Sequence, residues 1–132
     1  MKETTKIETE VMKRDIDKYG HVNYAVHMEW YELGHQDFLR KAGIGGFREL
    51  EEDHGLRTLV RHADVEWLGE LFEGDRISVQ TAVDQIGNTS MRYCQIIAKD
   101  GEEVSRAAIT VVFQDLQKQK CRIPDDIRAK LV

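Results

Sequence analysis

Between residues 5 and 13 the chain alternates, with Thr5, Ile7, Thr9 and Val11 set against Lys6, Glu8, Glu10 and Met12. Successive side chains of an extended backbone point to opposite faces, so this period of two predicts a half-buried strand. Asp15-Ile16-Asp17-Lys18-Tyr19-Gly20 breaks the alternation with turn-forming residues. From about Asn23 to Ala42 the period becomes helical: Tyr24, Met28, Tyr31, Phe38 and Ala42 form one row, and Val26, Trp30 and Leu33 form a second beside it. Asn23 has the short acceptor side chain of a helix N-cap. Gly43, Gly45 and Gly46 mark the helix end, and residues 47–55 read as a further short helical turn.

Everything after Gly55 reads as strand until the last ten residues or so. Leu59, Ala63, Val65 and Trp67 are expected on one face of a strand at 57–68, and Ile77, Val79 and Val83 on one face of another at 76–86. Strands at 91–99 and 104–115 follow. Gly87-Asn88 and Asp100-Gly101 separate these last three strands, and both dipeptides suit the positive φ of two-residue hairpin turns, which predicts an antiparallel meander. Pro124-Asp125-Asp126 resembles the first turn of a terminal helix. The order of strand, long apolar helix and four strands predicts an α+β fold in which one antiparallel sheet curls around a central helix. Apolar surface that the sheet leaves uncovered predicts a second copy of the chain against it.

Composition narrows the function. The 132 residues make one domain, 1–132, and 41% hydrophobic with 33% charged residues is enough for a core. The apolar runs Ala107–Ile109 and Val111–Phe113 are far short of the roughly 20 residues that cross a bilayer. Met1-Lys2-Glu3-Thr4-Thr5-Lys6 leads into the first strand without an apolar signal core, so a cytoplasmic location is expected. Cys94 and Cys121 form no CxxC, and neither a metal nor a redox cofactor is implied. The net charge of −5, from 24 acidic and 19 basic residues, argues against a nucleic-acid partner, whose phosphates need clustered Lys and Arg.

The segment Asp15-Ile16-Asp17-Lys18-Tyr19-Gly20-His21-Val22-Asn23-Tyr24, continuing through His27, Tyr31 and Glu32, resembles the D-x-D-x-x-G-x-V signature of the 4-hydroxybenzoyl-CoA thioesterase family. Gly74-Asp75 opening a strand, and Ala107–Phe113 followed by Ile123-Pro124, extend the likeness over nearly the whole chain. The stretch from Trp30 to Leu39 is also similar to plant acyl-ACP thioesterases of the single-hotdog type. The chain departs from the family pattern with Tyr24 in place of a second Asn, His27 in place of Tyr and Glu70 in place of Pro. The resemblance implies a hotdog fold, hydrolysis of an acyl-CoA or acyl-ACP thioester, no cofactor, and assembly into a homodimer or homotetramer.

By that resemblance Asp17 is the catalytic carboxylate, as general base or nucleophile, and the backbone N–H beside Tyr24 polarises the thioester carbonyl. Read from the residues alone, Asp15 and Asp17 are also ordinary turn acids near a helix N-terminus, and Asn23 is a cap. His21 matches a His that plant double-hotdog relatives pair with Asp, which leaves an acid–base role and an orienting role both open. His27 is either a contact to the acyl group or a hydrogen-bonded core histidine. Tyr31, with Tyr24 and Met28, lines an acyl tunnel or simply packs the core. Glu32 is first an ion-pairing residue. His62 and Asp64 share a strand face that completes a neighbouring subunit's site or faces solvent. Ser90 and Thr89 touch the pantetheine arm or are turn residues. Lys118, Lys120 and Arg122, and Arg57 with Arg61, are the basic clusters available to the coenzyme phosphates. Two other functions compete: a non-catalytic acyl-binding module on the same scaffold, and a hotdog dehydratase, which lacks a matching His/Glu or Asp/His motif here.

Overall fold

The computed structural model describes residues 4–132. Met1–Glu3, the start of the segment read as lacking a signal core, lie outside the described residues. Strand β1 (Thr5–Glu10) and a 3-10 turn (Lys13–Asp15) lead to the long helix α1 (Tyr24–Lys41) and the short helix α2 (Phe47–His54). Strands β2 (Leu56–Trp67), β3 (Arg76–Ile86), β4 (Ser90–Lys99) and β5 (Glu102–Asp115) follow, and helix α3 (Asp125–Leu131) ends the chain. The five strands form one antiparallel sheet in the order β1-β3-β4-β5-β2.

Helix α1 lies across β1, β3 and β4. Tyr31, Phe38 and Leu39 on the helix and Ile77, Val79, Val83, Tyr93 and Ile97 on the strands are buried between them. Gly34 permits this approach: a Cβ there would sit 2.7 Å from Thr81 Oγ1 and 2.9 Å from Val79 Cγ1, closer than real side chains come. A glycine that costs about 1 kcal/mol in helix propensity is thus offset by the packing of the whole helix on the sheet.

Three expectations change. The helix does not bury Tyr24 or Leu33, which are exposed, whereas His27, Gly34 and His35 face inward. Polar residues take inward positions here, so the apolar rows alone misplace the buried side. In β2, pairing passes from Val60↔Val111 to His62↔Thr110, a bulge that leaves Arg61 unpaired in the ladder. One extra residue moves Leu59 to the face opposite Ala63, Val65 and Trp67, and puts Val60 on theirs.

The third change concerns turns. Asp100 and Gly101 both have positive φ, 50° and 80°, as a tight hairpin requires. Gly87 and Asn88 have none; instead Gly87 N–H bonds Ser90 O at 2.8 Å. This loop is held from outside, because Arg128 of α3 donates to Gly87 O at 2.9 Å and Ile123 N–H donates to Asn88 O at 2.9 Å.

Candidate active site

The loop before α1 is tied down by its own backbone. Ile16 and Val22 form an isolated antiparallel bridge, and between them Asp17 N–H bonds His21 O at 3.0 Å while Gly20 N–H bonds Asp17 O at 3.1 Å. Gly20, at φ 87°, supplies the left-handed residue this tight loop needs. Val22 N–H reaches Leu71 O at 2.9 Å, which joins the loop to the segment after β2. The buried carboxylate of Asp15 accepts from Met12 N–H at 2.9 Å, so Asp15 braces the loop from below. Asp17 is half-buried and accepts from Tyr19 N–H at 2.8 Å through Oδ1.

Asp17 lines a cleft of about 210 Å³ with His21, Tyr24, His27, Trp67 and Glu70. The first turn of α1 borders it. Asn23 Oδ1 accepts from Ala25 N–H at 2.9 Å, the expected cap, and Val26 N–H bonds Asn23 O at 3.0 Å. The Tyr24 N–H has no acceptor among the described residues. An unpaired donor at a helix N-terminus, with the positive end of the dipole behind it, is suited to hold developing negative charge. The Tyr24 ring itself is exposed and meets the edge of Trp67, with ring centroids 5.6 Å apart.

His27 is 3% exposed and packs against Trp30 and Trp67. Its Nδ1 lies 2.8 Å from Ser105 Oγ, and Tyr31 Oη lies 2.6 Å from the same oxygen. Burial lowers the His27 pKa to about 4, and burial raises Tyr31 to about 12 despite its bond to Ser105. At neutral pH both side chains are therefore uncharged. Ser105 escapes notice when only reactive residues are sought. Its signal is positional: it falls in phase with the inward-facing Ala107, Ile109 and Val111 of β5.

A second cavity of about 280 Å³ opens beside the middle of α1, between Met28, Tyr31, Glu32 and His35 on one side and Val60 and Val111 on the other. His35 is buried, bonds Tyr93 Oη through Nε2, and has its pKa lowered by burial to about 3. Gln95 spans the cavity's inner wall, donating to Tyr31 O at 2.8 Å and Thr81 Oγ1 at 3.1 Å.

The structure thus brings Asp17, His21, Tyr24 and His27 to one cleft, flanked by Asn23, and puts Tyr31 at the second cavity. Within a single chain, His62 and Ser90 stand away from this cleft. His62 lies on the sheet's outer face, 3.2 Å from the Asp64 carboxylate, and Ser90 starts β4 at the end of the sheet away from the first turn of α1. The basic clusters are partly neutralised, with Arg57 paired to Glu51 at 3.2 Å and Arg122 to Asp125 at 2.9 Å. Among the described residues, no group of three or more His, Cys, Asp or Glu is placed to hold a metal ion, and no helix is long and apolar enough to cross a membrane.

A five-stranded antiparallel sheet with one long helix on its face is the hotdog fold. The chain belongs to the Thioesterase-like superfamily, whose sequence pattern matches residues 11–131. It is 25% identical over its full length to a chloroplastic acyl-acyl carrier protein thioesterase of Arabidopsis thaliana, of which it spans 70%. Its fold superposes on a variant of 4-hydroxybenzoyl-CoA thioesterase in complex with 4-hydroxybenzoyl-CoA, with TM-score 0.90 at 14% identity over 98% of this chain and 99% of that one. It superposes equally broadly on a 1,4-dihydroxy-2-naphthoyl-CoA thioesterase from Synechocystis, with TM-score 0.86 at 17% identity over 98% and 96% of the two chains.

Proposed function

We propose that this chain hydrolyses an acyl thioester carried on coenzyme A or on an acyl carrier protein, with Asp17 as the reacting carboxylate and the Tyr24 N–H as oxyanion donor. The observation that carries this is the shared cleft: a half-buried carboxylate and an unbonded helix N-terminal amide border the same space. As a general base, Asp17 takes a proton from water while the water oxygen adds to the thioester carbon. The Tyr24 N–H holds the resulting oxyanion, the C–S bond breaks with its electron pair going to sulfur, and the proton on Asp17 returns to the thiolate. As a nucleophile, Asp17 adds to the carbonyl, expels the thiolate, and leaves a mixed anhydride that water opens. His21 borders Asp17 and orients or relays a proton; Asn23 caps the turn.

A thiol-release panel of acyl-CoA and acyl-ACP thioesters tests the reading. Asp17→Asn is expected to lower kcat by roughly 10²-fold or more, as for loss of a general base, with unchanged melting temperature. A single turnover in ¹⁸O-water that labels the Asp17 carboxylate establishes the nucleophilic route with water opening the anhydride at the Asp17 carbon; the general-base route labels the product alone. One observation favours a second reading, the acyl-binding module: the Asp17 to Tyr19 N–H bond is also what a plain turn acid makes. Ligand-induced melting shifts without thiol release in the panel would favour that module.

A second copy of this chain is proposed as the partner. Strand β2 forms a free edge of the sheet, and its Leu59, Val60 and Trp67 are all exposed. Unpaired edges with apolar side chains are covered in stable proteins. Sedimentation equilibrium is expected to give at least a dimer, and a monomer at micromolar concentration would discard this.

A further inference from the structure

The buried His27–Ser105–Tyr31 chain has two contacts for three hydrogens, one from each side chain, so one hydrogen must point outside it. Tyr31 is 1% exposed, and its hydroxyl has Ser105 Oγ as its sole partner among the described residues. If His27 Nδ1 carried the proton and donated it to Ser105, the single Ser105–Tyr31 contact would use only one of the two hydroxyl hydrogens, and the other would be left without an acceptor. A buried donor left unpaired costs about 1–3 kcal/mol. The other arrangement leaves neither hydroxyl hydrogen unpaired: Tyr31 donates to Ser105, and Ser105 donates to a bare His27 Nδ1. The imidazole proton is then on Nε2.

That nitrogen has no partner among the described residues but is not sealed from solvent, so its hydrogen can meet water or a ligand. The ring is 97% buried by its 3% exposure, yet it lines the Asp17 cleft. His27 lies three positions after Tyr24 on α1, and helical side chains lean back toward the N-terminus, over the turn that carries the Tyr24 N–H.

We propose that His27 donates its Nε2–H to the thioester carbonyl oxygen as a second oxyanion donor beside the Tyr24 N–H, with Ser105 and Tyr31 as positioning residues that fix its tautomer. This rests on the reading of the cleft as a thioesterase site. An uncharged imidazole keeps this proton through the reaction, so it stabilises the oxyanion without acting as an acid. The buried imidazole, lowered to about 4, stays in that form across the neutral range. The group recognised is the carbonyl itself, so the donor acts on any acyl chain.

Two measurements on the purified chain test it. Long-range ¹H–¹⁵N NMR of wild type reads the tautomer directly; an Nε2-protonated imidazole is expected, and an Nδ1-protonated one overturns the assignment. Kinetics on a thioester the wild type turns over supply the second. His27→Phe is expected to lower kcat by about 10²-fold, as for loss of one oxyanion donor, with little change in KM. His27→Gln, whose amide places an N–H near the Nε2 position, is expected to restore most of that loss, which a packing defect would not do. Ser105→Ala should lower kcat less and mix the tautomers. Wild-type turnover in His27→Phe overturns the His27 role alone, leaving Asp17 in place. No thiol release by wild type across the panel overturns the thioesterase reading and this role together.

Discussion

The first turn of α1 and its middle hold the same kinds of side chain in opposite states. At the first turn, Asp17 and His21 are half-buried in a loop built from hydrogen bonds between near neighbours. About three turns further on, His35 and Tyr93 are sealed together, and Gln95 bonds the helix backbone from a strand more than sixty positions away. The groups that change protonation in the proposed mechanism stay near water, where charge is well solvated. Groups that hold shape are buried uncharged, where each needs a fixed partner. In the proposed mechanism the local loop carries the chemistry and the long-range network the architecture, and His27 belongs to both.

The largest way to sharpen this contrast is acid. His35 is pushed down to about 3 and His27 to about 4 from an ordinary 6.5, both by burial. Between those values and 6.5 the unfolded chain binds protons that the folded chain refuses, so stability rises with pH there and falls as pH drops. Stability is full above pH 6.5 and declines toward pH 4, a window above the one in which the depressed carboxyls of Asp75 and Asp84 take up protons. Urea unfolding midpoints at pH 7.5 and pH 5 should differ clearly in wild type. His35→Gln keeps a partner for Tyr93 and removes one titrating site, so its dependence should be shallower by about one proton per molecule. An unchanged slope in the variant would mean that His35 titrates normally and is not sealed.

Legibility in the sequence divides along the same line. Asn23 as cap, Gly20 in its loop, the Asp100-Gly101 hairpin and the α3 start are readable because each is decided within four or five residues. The bulge at Arg61 is decided by pairing with β5, and the loop at Gly87 by bonds from Arg128, so neither local pattern foretells them. The same holds in the site. Asp17 and the Tyr24 amide follow from one contiguous motif. Ser105, 78 positions from His27, declares only that it points inward. His35 reads as a polar interruption of an apolar row until Tyr93 is placed against it.

The smallest effect separates two amides that adjoin each other on the chain. Asn23 caps the Ala25 N–H and leaves the Tyr24 N–H free, so the cap and the proposed oxyanion donor are different groups. Asn23→Ala should therefore cost about 1 kcal/mol of stability, the usual loss for a helix cap, read from the urea midpoint. Its kcat should move far less than that of Asp17→Asn, because water can take the place of the lost acceptor at Ala25 while the catalytic donor is untouched. A fall in kcat as deep as that of Asp17→Asn, with stability unchanged, would give the opposite answer: the Asn23 side chain, and not the Tyr24 amide, would be holding the substrate. The first turn would then work through a side chain, and the division between backbone chemistry at the helix start and side-chain architecture at its middle would fail.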